Sequence, residues 1–282
     1  MKRKISEAEK RLREELMGLG DISPRTVENY IWVLRKFARY VDKTPTVADA
    51  RRFLGSLREQ GVSKAYVHVA YYALRSLFKI LGKEEEFTRN ISHKVPRSSR
   101  IGKPTLTVDQ IERMVSWAKS KKGKRGPKIR FYLALSTTFG LRRTEMSKVQ
   151  KGDISEGTIT IWTAKGGEPR VHLIPDEIAP YVYGYTPPKA ISESGLTRMF
   201  WEIAKGAKLK LEPKFGWHSI RRGLSTELAR VGVNPLIVNR FIRWKTGFSV
   251  FSTQDMYIQL SDSEVDRIVF ENHPFLHLWR EL

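Results

Sequence analysis

Six residues in the second half of the chain are of types that can work on a phosphodiester: Arg142, Lys165, His218, Arg221, Trp244 and Tyr257. Such a linkage resists attack because its oxygens are negative and its leaving alkoxide is poor. Cations, proton carriers and a hydroxyl nucleophile are the groups that chemistry calls for. Arg142 follows Gly140 where a strongly apolar stretch ends, and Lys165 falls between two β-prone runs. His218 and Arg221 are three apart at the start of a predicted helix, which puts them on one face. Taken singly, each has an ordinary role: a surface arginine, a solvated lysine, a histidine bonded to a carbonyl, a core tryptophan, a packed tyrosine. Their combination needs elements that bring them together.

Those elements can be read from the pattern. The stretch 129–139 is strongly apolar and predicts a buried helix ending at Gly140. Residues 158–162 and 170–174 alternate as strands, with Ala164-Lys-Gly-Gly167 as the hairpin connection. After them the spacing predicts helices over about 193–208, 217–231, 234–243, 251–259 and 262–271. Before Gly140, Thr107-Val-Asp-Gln110 caps a helix carrying Ile111, Met114 and Val115, and 121–128 (KKGKRGPK) reads as a basic loop.

The first hundred residues are helical throughout. Ser23-Pro24 opens a helix whose apolar face is Val27, Tyr30, Ile31, Leu34, Phe37 and Val41. Thr46-Val-Ala-Asp49 is a capping box ahead of Phe53, Leu54 and Leu57. Gly61 ends that helix, and Ser63 caps another bearing Val67, Ala70, Leu74, Leu77, Phe78 and Leu81. With a helix over 6–18 this makes a bundle of about four helices at 1–92. An aperiodic, basic, proline-containing linker follows at 93–104, and a second domain occupies 105–282. The fold class expected is mainly α with a small β-hairpin or sheet.

Composition points to the partner. The chain has 282 residues with 51 Lys+Arg against 30 Asp+Glu, a net charge of +21 and a pI near 10.1. The excess is shared between the two halves, which suits two domains gripping one duplex, since neutralising phosphates releases counterions. There is no cysteine, hence no disulfide, thiolate zinc site or cysteine nucleophile. No apolar stretch approaches a membrane span, and the basic start continues as a charged helix without a signal core. The expectation is a soluble, cytoplasmic, nucleoid-associated protein with no membrane partner. Abundant charge without cysteine also hints at a thermophilic source.

The ordered set resembles the tyrosine recombinase and integrase family. Its carriers here are Gly140-Leu-Arg142-Arg-Thr-Glu145, Lys165 within Ala-Lys-Gly-Gly-Glu-Pro-Arg-Val, His218-Ser-Ile-Arg221, Trp244, and Phe251-Ser-Thr-Gln-Asp-Met-Tyr257. Ser23-Pro-Arg-Thr-Val-Glu-Asn-Tyr30 is similar to the family's helical core-binding domain. The resemblance implies a SAM-like core-binding domain before an α+β catalytic domain. It implies that the Tyr257 hydroxyl attacks the scissile phosphate and forms a 3′-phosphotyrosyl bond. Arg142 and Arg221 would clamp the non-bridging oxygens, Lys165 would protonate the departing 5′-oxygen, and His218 would handle the tyrosine proton. Trp244 would add a phosphate hydrogen bond, with Glu145 orienting the active-site helix. No metal or other cofactor is expected, in keeping with the absence of a GxxxxGK[ST] loop and of a clear carboxylate metal cluster.

Two departures stand out. Arg243 precedes Trp244 where the family commonly has Gly-His. The interval from Trp244 to Tyr257, holding Lys245-Thr-Gly-Phe-Ser-Val250, is longer than usual, which leaves open whether Tyr257 serves its own site or a neighbour's. The partners implied are two double-stranded DNA sites synapsed by a homo-tetramer, from a monomer or dimer in solution. The apolar run Val265, Ile268, Val269, Phe270, Phe275, Leu276, Leu278 and Trp279 is expected to dock on an adjacent protomer. Arg25, Arg35, Arg39, Arg75 and Lys79, off the apolar stripes, and Lys121, Lys122, Lys124 and Arg125 in the basic loop are candidate DNA contacts. The leading reading is an integrase of an archaeal viral or plasmid element. A Xer-like resolvase of chromosome dimers, a type IB topoisomerase and a DNA-binding protein without catalysis are the alternatives.

Overall fold

A computed structural model describes residues 7–20, 22–93, 103–163, 169–187, 190–244 and 260–280. Lys165 with its whole hairpin connection, most of the predicted linker, and 245–259 with Tyr257 lie outside the described residues. The chain divides into two compact units, Met1–Ile101 and Gly102–Leu282.

In the first unit, α1 (Glu7–Gly18), α2 (Pro24–Phe37), α3 (Val47–Glu59), α4 (Lys64–Ile80) and α5 (Glu84–Asn90) follow the apolar stripes. Ser23, Thr46 and Ser63 cap α2, α3 and α4, each accepting a backbone N–H three residues on. Val27, Ile31, Phe37, Phe53, Leu54, Leu74 and Phe78 are buried together, and Phe87 of α5 seals them with its ring stacked on Phe78. The short α5 has no apolar stripe to announce it, because three successive glutamates precede a single buried apolar anchor, Phe87.

The second unit is built around α7 (Gly126–Phe139), buried along nearly its whole length from Ile129 to Phe139. A helix whose residues are buried on all sides needs cover on all sides. That cover comes from α6 (Val108–Ser120), α9 (Ala179–Tyr183), α11 (Trp217–Arg230) and a terminal 3-10 turn at Leu276–Trp279. The other elements are α8 (Arg143–Met146), α10 (Glu193–Gly206), α12 (Pro235–Phe241), α13 (Asp262–Glu271) and an antiparallel sheet. The sheet orders β1 (Ile154–Ser155), β2 (Thr158–Ile161) and β3 (Arg170–Leu173), with Thr158 opposite Leu173 and Ile161 opposite Arg170.

The apolar run at the C-terminus corrects the docking expectation. Val265, Val269, Phe275 and Trp279 are fully buried in the core of their own unit, with Phe270 and Leu278 packed against it. The reason is α7, whose own polar groups also need partners: Trp279 Nε1 donates to Thr137 Oγ1 at 3.0 Å, and His273 Nε2 bonds the Thr138 carbonyl at 2.9 Å. A surplus of apolar residues for an ordinary domain is thus the complement of one wholly buried helix.

On β3 the burial runs against hydrophobicity. Arg170 and His172 face inward, whereas Val171 is 47% exposed. Asp266 of α13 explains the inversion by supplying a buried carboxylate to both inward residues.

Candidate active site

The turn after α7 builds the first part of the site. Gly140 has φ +56°, and a Cβ there would come within 3.3–3.5 Å of Leu224, Arg221 and Ile242. Glycine therefore both ends the helix in the left-handed conformation and lets α11 approach. Buried Leu141 anchors the next step, and Arg142 takes the N-cap position of α8.

Glu145 organises this corner. It is buried, and its Oε2 accepts the Arg142 backbone N–H at 2.9 Å and Arg243 Nη2 at 3.2 Å. Its Oε1 accepts Arg142 Nη1. Burial alone would raise its pKa, but Arg243, the Arg142 amide, and the charges of Arg142 and Arg221 hold it below the usual carboxylate value. The carboxylate stays ionised and fixes three donors.

Arg221 projects from the second turn of α11 and is fully buried. Its Nη1 donates to the Gly140 carbonyl at 2.7 Å and its Nη2 to the Ile242 carbonyl. Nε has no hydrogen-bond partner among the described residues. Burial and the neighbouring Arg142 and Arg243 charges depress its pKa, with Glu145 opposing. The Trp244 ring centroid lies 5.7 Å from the Arg221 guanidinium carbon, and Trp244 itself is 43% exposed.

His218, one turn before Arg221, keeps an exposed surface yet sits in a dense cationic neighbourhood. Desolvation, then Arg222, Arg221, Arg142 and Lys103, pull its pKa down to about 4. The ring is therefore neutral near pH 7 and available to accept a proton. Arg142, His218, Arg221 and Trp244 are thus drawn together by three chain turns, with Glu145 behind them.

Sequence reasoning noted Arg243 only as a departure and passed over Arg170, His172 and Asp266. Arg243 is buried with φ +55° and bonds Glu145, His172 and the Phe139 and Phe241 carbonyls. Its pKa is lowered to about 10, by burial first and against the pull of Glu145. Three guanidinium groups, those of Arg142, Arg221 and Arg243, thus surround a single carboxylate. The imbalance favours an anion, and planar donors favour the oxygens of a phosphate or carboxylate.

The candidate DNA contacts divide. Arg25, Arg39, Lys79, Lys122 and Lys124 are exposed. Arg35 pairs with Glu9 at 2.7 Å, Arg75 with Glu84 at 2.8 Å and Arg125 with Glu202 at 2.7 Å, while Lys121 lies 3.9 Å from Glu202. A phosphate would have to compete with these carboxylates, which weakens the second group as electrostatic contacts. Among the described residues no helix is long and apolar enough to cross a membrane.

No protein-family model matches the chain. It is similar to the tyrosine recombinase XerA of Pyrococcus furiosus, with 25% identity over 286 residues spanning 93% of this chain and 95% of the relative. It is also similar to the tyrosine recombinase XerA of Thermococcus kodakarensis, with 26% identity over 263 residues, 88% of this chain and 89% of that one. In fold it is similar to the XerH site-specific recombinase in its post-cleavage complex with palindromic difH substrate. That likeness has a TM-score of 0.63 at 18% identity and covers 88% of this chain and 80% of the other.

Proposed function

We propose that this chain, a member of the tyrosine recombinase/integrase family, is a site-specific DNA recombinase that breaks and rejoins strands through Tyr257. The observation that carries the reading is the gathering of Arg142, His218, Arg221 and Trp244 around one buried carboxylate, in the chain order of the family's motif.

The Tyr257 phenolic oxygen attacks the scissile phosphorus, and the bond from phosphorus to the 5′-oxygen breaks, leaving a 3′-phosphotyrosyl bond and a free 5′-hydroxyl. Arg142 and Arg221 bind the non-bridging oxygens, where negative charge grows in the transition state. His218, neutral above about pH 4, accepts the tyrosine proton. Lys165 gives a proton to the departing 5′-oxygen. Trp244 contributes its indole N–H and closes one side of the site. Rejoining runs the same steps backwards with a 5′-hydroxyl from a partner duplex, so the energy of the broken bond is retained in the phosphotyrosine.

Double-stranded DNA is the partner, and two sites held by four copies are the arrangement we infer for exchange. Integration and excision of a mobile element is the role we favour, because Arg243 replaces the Gly-His form of the Xer-like proteins. The two relatives named XerA support the second reading, resolution of chromosome dimers. Mapping joints in cells separates the two: joints between element and host support integration, and joints at one recurring chromosomal site support resolution. The chemistry itself is tested on a nicked suicide duplex. The unsubstituted chain should form a covalent adduct, and Tyr257→Phe should bind the duplex without forming one. An adduct that survives the substitution contradicts the assignment.

A further inference from the structure

The turn that carries Trp244 is held by an unusual lock. Arg243 follows α12 and its C-cap residue Ile242, with φ +55°. Trp244 N–H donates back to the Asn239 carbonyl at 2.9 Å and Arg243 N–H to the Arg240 carbonyl at 3.1 Å, the helix ending at which glycine is usual. An arginine is strained there unless something beyond the local backbone holds it. Its guanidinium, 4% exposed, donates to His172 Nε2 at 2.6 Å, the Phe241 carbonyl at 3.0 Å, the Phe139 carbonyl at 3.1 Å and Glu145 Oε2 at 3.2 Å.

The chain of bonds continues through β3. Arg243 can only donate, so His172 Nε2 must accept, and its proton resides on Nδ1, which donates to Asp266 Oδ1 at 3.0 Å. Asp266 also accepts Arg170 Nη2 at 3.0 Å and the Leu173 N–H at 2.8 Å. Arg142, Glu145, Arg243, His172, Asp266 and Arg170 therefore form one hydrogen-bonded path, buried beyond the part-exposed Arg142. It joins the start of α8, the end of α12, strand β3 and α13.

We propose that Arg243, linked through His172 to Asp266, is a positioning residue that sets the phosphate-binding geometry of Arg142 and Arg221. The turn it locks supplies the acceptors for both: the Arg243 carbonyl takes Arg142 Nη2 at 3.0 Å, and the Ile242 carbonyl takes Arg221 Nη2. Glu145, which the Arg243 side chain holds, also orients Arg142. Stability alone is a poor reason for such a path, because buried ion pairs seldom outperform apolar packing. Its effect is to fix groups that misplacement would disable. The inference rests on the recombinase reading, since it assigns Arg142 and Arg221 to a phosphate.

The test uses the full chain on a nicked suicide duplex, with the rate of adduct formation measured at saturating protein alongside the half-saturating concentration. Arg243→Gly suits the backbone and keeps the carbonyl. It should lower the saturated rate by about 100-fold, the effect of misplacing a reacting group by about 1 Å, and leave half-saturation nearly unchanged. Arg243→Lys should not restore the rate, because one ammonium cannot reach four acceptors. His172→Gln keeps a donor and an acceptor, so it should cleave faster than His172→Leu even where the leucine variant is the more heat-stable. A merely structural role predicts that rate follows thermal stability. Wild-type rates for Arg243→Gly, or a defect confined to half-saturation, would overturn the inference while the adduct still forms. No adduct from the unsubstituted chain would overturn the recombinase reading, and this inference with it.

Discussion

Glu145→Gln removes one negative charge from the meeting point of Arg142, Arg221 and Arg243 with almost no change of shape. Both carboxylate oxygens of Glu145 accept hydrogen bonds, Oε1 from Arg142 and Oε2 from the Arg142 amide and Arg243. An amide offers only one accepting oxygen, so one of these donors would face an N–H. Removing one partner of a buried ion pair typically costs about 3–5 kcal/mol, because the remaining charge stays buried and uncompensated. For a unit of the size of Gly102–Leu282, each kcal/mol moves the unfolding midpoint by about 2–4 °C. The expected fall is therefore ~6–20 °C at pH 7, read by calorimetry. The pH dependence has a definite sign. Glu145 has a depressed folded pKa, so its contribution is present above the ordinary carboxylate range and is lost as pH falls through the folded value. The gap between wild type and variant should close on acidification across that range. A midpoint lowered by less than ~2 °C, or a gap that stays constant as pH falls, would refute the reasoning.

Two further outcomes follow from the same structure. Trp279→Ala opens a cavity beside α7 and removes the bond to Thr137, so it should destabilise the second unit by about 3–5 kcal/mol; an unchanged unfolding midpoint with lost synapsis would instead favour a tail that docks on a neighbour. Because His218 is held at about 4, cleavage measured as kcat/KM should not fall between pH 7 and 5 on its account; a His218-dependent decline centred near the ordinary histidine value of about 6.5 would contradict that environment.

What could be read in advance, and what could not, follows from the range of the interactions. Ser23, Thr46, Ser63 and Thr107 cap their helices as their local spacing implies, because a cap is settled within three residues. The apolar stripe of α4 and the strongly apolar α7 likewise specify their own burial. Gly140-Leu-Arg142 and Glu145 belong to a single turn, and their mutual hydrogen bonds are local. Asp266, by contrast, meets Arg170 and His172 across more than ninety residues, and nothing near β3 announces that its polar face turns inward. The single local cue was at Arg243, a large residue where a helix ending usually takes glycine. Its partners, Glu145 and His172, are as distant in sequence as they are close in space. The fate of the C-terminal apolar run depended on the same kind of information, namely how many sides of α7 remained to be covered.

The proposed chemistry requires that one particular tyrosine becomes bonded to DNA. Trapping the adduct on a suicide duplex, digesting with nuclease and trypsin, and sequencing the modified peptide by mass spectrometry tests it most directly. Cleavage at Lys245 and Arg267 releases residues 246–267, in which Tyr257 is the single tyrosine. A nucleotide-sized mass increment is expected on that peptide, localised to Tyr257 and dependent on Arg142 and Arg221. An increment on any other residue, or a trapped complex that dissociates in denaturant, would contradict it.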